Sequence, residues 1–239
     1  MDPNYRAYYR QLYERHWWFR MRERWILQVL RRSCPAGGWN SILDVGCGDG
    51  LLFDRLMEFG DVEGVETSRE IVDPANPHFQ KIHIGPFDDS FRPDKQYSLV
   101  LLLDVLEHLA DPADALRRCM ALLKPGGSLV ITVPAFNLVW TNHDVLNQHV
   151  TRYRKHTLFP LLKQAGLRVA ESEYWFQWTF LVKLAERLIE TMFRLQPTNP
   201  VIAAPSINRA FCSVCSIKNS LLGPLHLLFG TTLFVRCSK

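Results

Sequence analysis

The 239-residue sequence lacks a dense cluster of cysteines, and the spacing of its six cysteines excludes two kinds of structural site. The cysteines are Cys34, Cys47, Cys119, Cys212, Cys215 and Cys237. They do not form the dense framework of small secreted proteins. Cys212 and Cys215 form one CxxC pair, and the sequence has no second pair to complete a zinc site. This usage favours reduced thiols and a cytoplasmic protein.

Long apolar runs are also missing. The nearest candidate for a membrane span, Phe176–Phe193, is interrupted by Lys183, Glu186, Arg187 and Glu190, whereas a spanning helix needs about 20 apolar residues. The start of the chain is polar and charged, unlike a signal peptide. The sequence therefore predicts no transmembrane segment, although contact with a membrane surface stays compatible with it.

Lysine is absent from the first 33 residues, which carry eight arginines and three acidic residues, while the whole chain has a net charge of +4. Such a basic arm suits an anionic substrate, an acidic membrane surface or nucleic acid. It is equally compatible with a solvated helix face. The low overall charge, and the absence of an Asn-Pro-Pro-Tyr-like base-flipping segment where Leu103-Asp104-Val105 stands, argue against an enzyme that acts on nucleic acid.

Short β-branched or Leu-rich runs alternate with helical patterns from residue 41 onward, which predicts βαβ units on a parallel sheet. The predicted strands are Ser41–Val45, Asp61–Glu66, Gln80–Gly85, Tyr97–Asp104, Gly127–Pro134, Leu167–Trp175 and Thr231–Cys237. The predicted helices are one or two within Tyr5–Arg32, then Gly50–Phe59, Arg69–Val72, Asp111–Leu123, Thr157–Ala165, Thr179–Leu195 and Ser206–Leu222. We expect one domain, with a helical arm (1–40), a core (41–176), a helical insertion (177–230) and a last strand (231–239).

A glycine loop follows the first predicted strand. Its spacing is G-x-G-x-G, from Gly46 to Gly50, and Asp44 ends the strand. A dinucleotide site would have G-x-G-x-x-G after an apolar strand, and Asp44 would repel a pyrophosphate but suit an ammonium group. Glu66 ends the second strand, where an acidic side chain can accept both hydroxyls of a ribose. These features argue against an NAD-dependent oxidoreductase.

Four segments in this order resemble the successive motifs of class I S-adenosylmethionine (SAM)-dependent methyltransferases. They read LDVGCGDG (43–50), VEGVE (62–66), YSLVLLLDVLEHLADP (97–112) and LLKPGGSLVITVP (122–134). The elements His16-Trp-Trp-Phe-Arg20 and His149-x-x-Arg152-Tyr153 resemble a bacterial subgroup with an N-terminal HWWF element. The resemblance implies a Rossmann-like α/β fold, in which helices cover both faces of a seven-stranded sheet whose last strand is antiparallel. SAM would lie across the carboxyl ends of strands one to four.

Carried over by position, the resemblance places Gly46, Cys47 and Gly48 against the methionine part of SAM and Asp44 near its amino group. Glu66 would hold the ribose, with Thr67 beside it. After the third strand, relatives usually read Gly-Asp-Ala, whereas this chain reads Gly85-Pro86-Phe87. Asp88 or Asp89 would then substitute for the missing carboxylate, and Phe87 would flank the adenine. The expected cofactor set is completed by Asp104, Trp18 and Arg22.

The acceptor side follows the fifth strand, where the candidate groups are Trp140, His143, Asp144, His149, Arg152 and Tyr153. Transfer to an oxygen requires removal of its proton, and a neutral histidine is the usual base. We expect His149 or His143 in this role, with Arg152 and Tyr153 binding an anionic or hydroxylated acceptor. The alternative is that these residues only cap and hydrogen-bond a loop.

Two further features have alternative interpretations. Asp104-Val-Leu-Glu107-His108 resembles the E-x-x-E-H metal-binding segment of ubiquinone O-methyltransferases, but we expect these residues to act without a cation. The HWWF element is either a core or dimer contact, or part of a helix that closes over SAM. Oligomeric state, monomer or homodimer, stays open.

The insertion leaves and rejoins the sheet at the edge where the acceptor must approach. Its aromatic residues can roof the acceptor pocket, which favours a bulky, partly apolar small molecule. A dimerisation surface is the competing interpretation. The sequence therefore predicts a SAM-dependent methyltransferase acting on a small molecule, most readily at an oxygen, and releasing S-adenosylhomocysteine. The alternatives are N- or C-methylation of a natural product or lipid-linked precursor, or a SAM-binding partner protein without catalysis.

Overall fold

The computed structural model describes residues 3–197, 201–221 and 228–239. Within these ranges the strands are β1 Asn40–Val45, β2 Gly60–Glu66, β3 Ile82–Ile84, β4 Tyr97–Leu103, β5 Leu123–Pro134, β6 Arg168–Trp175 and β7 Thr232–Ser238. The α-helices are α1 Pro3–Arg15, α2 Trp17–Ser33, α3 Phe53–Leu56, α4 Pro112–Leu122, α5 Asn142–Leu146, α6 Lys155–Gln164, α7 Gln177–Phe193 and α8 Pro205–Leu221. Short 3-10 helices cover Phe79–Lys81, Leu106–His108 and Asn137–Val139.

The seven strands form one sheet in the order β3-β2-β1-β4-β5-β7-β6. β1 pairs with β2, and β2 with β3, in parallel. β7 is antiparallel to both β5 and β6. This arrangement confirms the predicted seven-stranded mixed sheet with an antiparallel last strand.

The chain divides into two compact units, of which the first comprises Met1–Leu101 and Ile202–Leu221. Its core includes Ile42 and Leu43 of β1 and Phe53 of α3, all fully buried. α1 and α8 both contact α2. The N-terminal segment, predicted to hold one or two helices, forms two. They are separated by His16, the N-cap of α2, whose Nδ1 accepts the backbone N–H of Trp18 at 3.3 Å.

The second unit comprises Leu102–Val201 and Leu222–Lys239. Leu129 and Ile131 of β5 and Phe234 of β7 are fully buried. The ring of Trp175, at the end of β6, stacks on Phe234 with 4.8 Å between the ring centroids. Strands that are buried on both faces have apolar residues at successive positions, which explains the run 129–133 of β5, where only the buried Thr132 is polar.

One predicted helix is shorter than expected, and another is not formed. The segment predicted as Gly50–Phe59 is helical only over Phe53–Leu56. Arg69–Val72 forms turns and bends instead of a helix. Just after this segment, Asp73 accepts the backbone N–H of Ala75 at 2.9 Å, because short polar side chains offer the backbone partners that compete with a helix.

One observed helix, α5, is not predicted by apolar periodicity. It has only five residues, and it begins on a capping box formed by Thr141 and Asp144. A helix of little more than one turn carries too few positions for a periodic signal. α5 places Asp144 beside two other candidate residues that follow β5, His149 and Arg152.

The structure forms two helices in the predicted insertion, and their bounds are close to the predicted ones. Residues 198–200 and 222–227, which include the predicted end of the second helix at Leu222, lie outside the described residues. α7 belongs to the second unit and α8 to the first. None of the helices in the described ranges is long and apolar enough to cross a bilayer.

Candidate active site

The glycine loop in the first unit has the backbone conformation for which glycine is suited. Gly46 and Gly48 have φ values of 72° and 57°, in the left-handed region that other residues rarely adopt. The backbone N–H groups of Gly46 and Cys47 donate to the carbonyl of Val65 at 2.8 and 3.2 Å. The loop after β1 is thereby held to the end of β2.

Glu66 fastens the same loop through its side chain. It is 8% exposed, and its Oε2 accepts the backbone N–H of Gly48 at 2.9 Å. Its Oε1 accepts the backbone N–H of Ser68 at 2.8 Å. Each oxygen of a carboxylate can accept two hydrogen bonds, so each retains capacity for a ligand hydroxyl.

Asp44 is a buried carboxyl group in a region of negative charge. Burial raises the pKa of Asp44 to about 7, Arg22 opposes the shift, and Glu66 adds to it. Arg22 is itself buried, and its guanidinium carbon lies 5.6 Å from the centroid of the Trp18 ring. Because the ionised form of Asp44 is only partly compensated, a cationic ligand group beside it would be favoured.

Asp49, in the middle of the glycine loop, links three segments of the first unit, a role that the glycine motif does not indicate. It is 4% exposed and is ion-paired with Arg10 of α1. Its Oδ1 accepts the backbone N–H of Asp73 and the amide of Asn76, both at 2.9 Å. Asp49 thus ties α1 and the segment after β2 to the loop, which no local signal in the sequence indicates.

The HWWF element packs against two other helices of the first unit. The ring of Trp17 lies 5.3 Å from Phe211 of α8, and the Trp17 backbone N–H donates to Asn208 at 3.0 Å. Phe19 packs edge-on against Tyr9 of α1 at 5.6 Å. Trp17 and Phe19 therefore form helix contacts, and the closing of Trp18 and Arg22 over a cofactor stays a prediction.

The remaining expected cofactor residues lie near the strand ends. Thr67 is exposed beside Glu66, and Phe87 is half-buried with its ring 5.9 Å from that of Phe91. Burial raises the pKa of the Cys47 thiol well above its usual range, so this group is not a reactive thiolate. In the second unit, Asp104 has a φ of 59° and its backbone N–H donates to Thr132 at 2.9 Å.

In the second unit, the segment after β5 returns to the 3-10 turn Leu106–His108. The Tyr153 hydroxyl donates to the carbonyl of Leu106 at 3.1 Å, and the Val150 N–H donates to that of Glu107 at 2.7 Å. Burial, with the nearby Glu107 carboxylate, raises the pKa of Tyr153 to about 12. Tyr153 therefore stays protonated and fixes the turn.

Asp144 is the centre of the acceptor-side candidates, and it is fully buried. Its Oδ1 accepts His149 Nδ1 and Arg152 Nε, each at 2.8 Å. Its Oδ2 accepts Arg152 Nη2 at 2.8 Å and the Thr141 N–H at 2.9 Å. Burial alone would raise the pKa of Asp144, but the hydrogen bonds from His149 and Arg152 outweigh it and hold the pKa below its usual range.

Arg152 is used inside this network. It is 6% exposed, and its third guanidinium nitrogen, Nη1, donates to the carbonyl of Ala135 at 3.1 Å. Every guanidinium nitrogen therefore has a protein acceptor. The expected contact of Arg152 with the acceptor molecule is not supported by this geometry, because the side chain is turned to Asp144.

The two candidate histidines have different surroundings. His149 is half-buried and bonded to Asp144, whereas His143 is exposed. Both ring nitrogens of His143 lie 3.3–3.4 Å from the side-chain amide of Asn147. The ring centroids of the two histidines are 6.4 Å apart.

The possible metal ligands are not the three residues of the E-x-x-E-H-like segment. The ligand atoms of Glu107, His108 and His149 all lie within 4.8 Å of one another. Asp104, the first residue of the E-x-x-E-H-like segment, is not in this group. Two imidazoles and a carboxylate are a donor set that divalent cations accept in proteins when water completes the shell, so action without a cation stays a prediction.

α7 packs across the segment that follows β5. Arg187 Nη1 donates to the carbonyls of Asn137 and Leu138 at 2.6 and 2.8 Å, and the Asn142 N–H donates to Glu190 at 2.9 Å. Under the first turn of α7, Phe180 lies edge-on to Phe136 at 5.4 Å. A cavity of about 240 Å³ is lined by Trp140, Thr141, Asn142, Val145, Arg187, Glu190 and Thr191.

A family model described as a methyltransferase domain matches residues 15–172 of the chain. The ubiquinone biosynthesis O-methyltransferase of Bradyrhizobium diazoefficiens is 35% identical over 107 residues, which are 42% of this chain and 42% of that protein. The enzyme of the same name from Coxiella burnetii is 35% identical over 95 residues, 37% of this chain and 41% of that protein. The match spans about two fifths of the length of these curated relatives.

Solved structures are similar over nearly the whole chain. A chain of a Haloferax volcanii complex that contains the Trm112 methyltransferase activator has a TM-score of 0.62 at 20% identity, covering 98% of this chain and 94% of that chain. A SAM-dependent methyltransferase from Archaeoglobus fulgidus has a TM-score of 0.55 at 21% identity, covering 91% and 94%. The N-methyltransferase NodS from Bradyrhizobium japonicum, in complex with S-adenosylhomocysteine, has a TM-score of 0.55 at 17% identity, covering 96% and 90%. At these identities the likeness concerns the fold.

Proposed function

The chain belongs to the family of SAM-dependent methyltransferases, and we propose that it transfers a methyl group from SAM to an oxygen of a small hydroxylated molecule, with His149 as general base. Asp44 and Glu66, the cofactor residues used in this proposal, belong to the first unit. The proposed base, His149, belongs to the second unit.

The polar groups of the first unit fit SAM. The amino group of SAM would meet the need of Asp44 for a positive charge, since the pKa of this buried carboxyl is raised to about 7. Glu66 has one backbone donor on each oxygen, which leaves one acceptor position on each for a ribose hydroxyl. When bound, SAM supplies a sulfonium methyl that is already activated for in-line displacement. The protein then contributes mainly alignment and proton removal.

The observation that carries the proposal is the 2.8 Å hydrogen bond between His149 Nδ1 and Asp144 Oδ1. An attacking hydroxyl must lose its proton as its oxygen bonds to the methyl carbon. A neutral imidazole that donates through Nδ1 has the lone pair of Nε2 available for that proton. The relatives named O-methyltransferases favour an oxygen acceptor over nitrogen or carbon.

The geometry favours His149 over His143, because His143 has no carboxylate partner among the described contacts of its ring. Tyr153 and Arg152 then act on the scaffold: Tyr153 holds the 106–108 turn, and Arg152 holds Asp144. Binding of an anionic acceptor by Arg152 is dropped from the proposal.

We further propose that α7 forms one wall of the acceptor site, so that a bulky, partly apolar molecule is accommodated. The hydrogen bonds from Arg187 to residues 137 and 138 support this role. The aromatic contacts of Phe180 with Phe136 and Phe229, at 5.4 and 5.6 Å, supply an apolar surface in the same unit. α8 instead packs against α2, so the two helices of the insertion have separate roles.

The test is a screen of phenols, catechols, hydroxy acids, polyprenylated phenols and amines with SAM, read by mass spectrometry for the gain of one methyl and by NMR for its position. We expect methylation at oxygen, and loss of turnover with retained SAM affinity in His149→Gln. Turnover that is lost in His143→Gln but kept in His149→Gln would assign the base to His143. Methylation at nitrogen or carbon would replace the O-methyltransferase proposal, and SAM binding without any turnover would indicate a non-catalytic partner.

A further inference from the structure

Asp144 has more hydrogen bonds than a helix cap needs. Its two oxygens accept four donors at 2.8–2.9 Å, from His149, from two nitrogens of Arg152 and from the Thr141 backbone. Only the Thr141 bond belongs to the capping box of α5. A buried carboxylate is tolerated when it is both paired and fully hydrogen-bonded, and this one has both.

We propose that Asp144 is a positioning residue that fixes the tautomer and ring orientation of His149, and that Arg152 keeps its carboxylate charge-balanced in this position. The inference rests on the proposed function, in which His149 is the base. It adds a carboxylate and a counter-ion, neither of which touches the reacting atoms.

The backbone around His149 leaves its ring little freedom. The His149 N–H donates to the Asp144 carbonyl at 3.0 Å, so main chain and side chain of Asp144 both hold the histidine. The next residue, Val150, is fixed to Glu107 at 2.7 Å. The ring of His108 then lies edge-on to that of His149 at 4.9 Å. A carboxylate only accepts hydrogen bonds, so an ionised Asp144 requires the proton of neutral His149 to be on Nδ1.

Arg152 prevents the carboxylate from acting as an isolated negative charge. A lone carboxylate beside an imidazole favours the protonated form of the imidazole. A protonated imidazole cannot accept a further proton and so cannot act as a base. The doubly hydrogen-bonded guanidinium offsets that charge. Other charged or titratable groups lie on the elements around His149. They include Glu107 and His108 of the 106–108 turn, His143 of α5, Tyr153, and Lys183, Arg187 and Glu190 of α7. Lys183 Nζ is 3.3 Å from Thr141 Oγ1.

Asp144→Asn should select the wrong tautomer. An asparagine places an NH₂ group at one of the two oxygen positions. At the Oδ2 position it would face Arg152 Nη2 and the Thr141 N–H, which are permanent donors. At the Oδ1 position it faces Arg152 Nε and His149, and only His149 can exchange donor for acceptor. The NH₂ group should therefore turn to His149 and move its ring proton to Nε2, as in the serine-protease triad when its aspartate is replaced by asparagine.

The experiment is NMR of the full chain with ¹⁵N-labelled histidine, comparing wild type, Asp144→Asn and Thr141→Ala, with His149 assigned by its loss in His149→Gln. We expect the Nδ1–H tautomer of His149 in wild type and in Thr141→Ala, and the Nε2–H tautomer in Asp144→Asn. Thr141→Ala is the matched control, because it weakens the α5 cap without changing the carboxylate. Turnover should fall about 10³- to 10⁴-fold in Asp144→Asn and less than tenfold in Thr141→Ala.

Several outcomes overturn the proposal. A wild-type His149 in the Nε2–H form does so even if Asp144→Asn fails to fold. An unchanged tautomer in Asp144→Asn, with a loss of turnover no greater than in Thr141→Ala, assigns Asp144 to capping alone. Failure of the proposed function is distinguishable, since full turnover in His149→Gln removes the base whatever the tautomer is.

Discussion

Glu66 has a structural role and a proposed role in SAM binding, and a single substitution tests the second. It holds the glycine loop through Gly48, and it would accept the ribose hydroxyls of SAM. We expect Glu66→Ala to weaken SAM binding by about 1–3 kcal/mol, because charge-assisted hydrogen bonds are lost. Isothermal titration calorimetry measures the change. Glu63→Ala, on the same strand and bonded to Lys95 and Tyr97, is the control, and equal SAM affinity in both variants would remove Glu66 from the site.

Arg152 gives a second prediction for a single residue. Arg152→Met leaves the buried carboxylate of Asp144 without its counter-ion, which should reduce the free energy of unfolding by about 3–5 kcal/mol. The same change removes the group that holds the Asp144 carboxylate against His149, so kcat/KM should also fall. Urea unfolding and kcat/KM measure the two effects. A kcat/KM equal to that of wild type would mean that Arg152 only stabilises the fold.

Single residues differ in how far the sequence predicts them. Gly46 and Gly48 were predictable because their positive φ values, 72° and 57°, belong to a local turn that the G-x-G-x-G spacing encodes. The partnership of Asp144 with His149 and Arg152 was not predictable, although all three were candidates. It depends on the short helix α5 and the chain that follows it. They bring His149 and Arg152, five and eight residues after Asp144, to the Asp144 carboxylate.

Among the elements, α7 can be tested through its contact with the 137–139 turn. Arg187→Gln removes the hydrogen bonds to the carbonyls of Asn137 and Leu138. We expect a higher KM for the acceptor with little change in SAM affinity, since the wall loosens while the first unit is untouched. Arg194→Gln, at the exposed end of the same helix, is the control. Equal acceptor KM values in both variants would separate α7 from the acceptor site.

The 106–108 turn leads to a prediction about metal ions. Glu107, His108 and His149 are close together, but we expect His149 to bind a proton instead of a cation. Turnover should survive exhaustive dialysis against a chelator, and added magnesium or zinc should not increase it. Activity that returns only with one of these ions would assign the group to metal binding.

The packing of elements was less predictable than their existence. Both helices of the insertion were expected from amphipathic patterns, yet only the structure pairs α8 with α2, through Trp17 and Phe211. This contact joins residues that are far apart in the sequence, so no window of the chain contains its signal. Deleting 177–230 would therefore remove a partner of α2 together with the proposed wall of the acceptor site.

For the whole molecule, Asp44 links stability to pH. Its pKa is raised from 3.8 to about 7 by burial. Between pH 3.8 and about pH 7, Asp44 keeps its proton in the folded protein but has released it in the unfolded chain. The free energy of unfolding therefore falls as the pH rises through this range. A shift of this size corresponds to about 4 kcal/mol in total. Asp44→Asn lacks this titration, and its stability relative to wild type should therefore increase from pH 4 to pH 7.

Binding of SAM should reverse this trend, because its amino group stabilises the ionised form of Asp44. SAM should bind wild type more tightly at pH 7 than at pH 5.5, with release of a proton. Asp44→Asn should bind SAM more weakly and lose most of this dependence. Urea unfolding with and without SAM at several pH values measures both effects, since a ligand at 100 times its Kd adds about 2.7 kcal/mol. Parallel pH curves for the two proteins would mean that Asp44 is already ionised without SAM, and the argument for a cationic ligand at this position would fail.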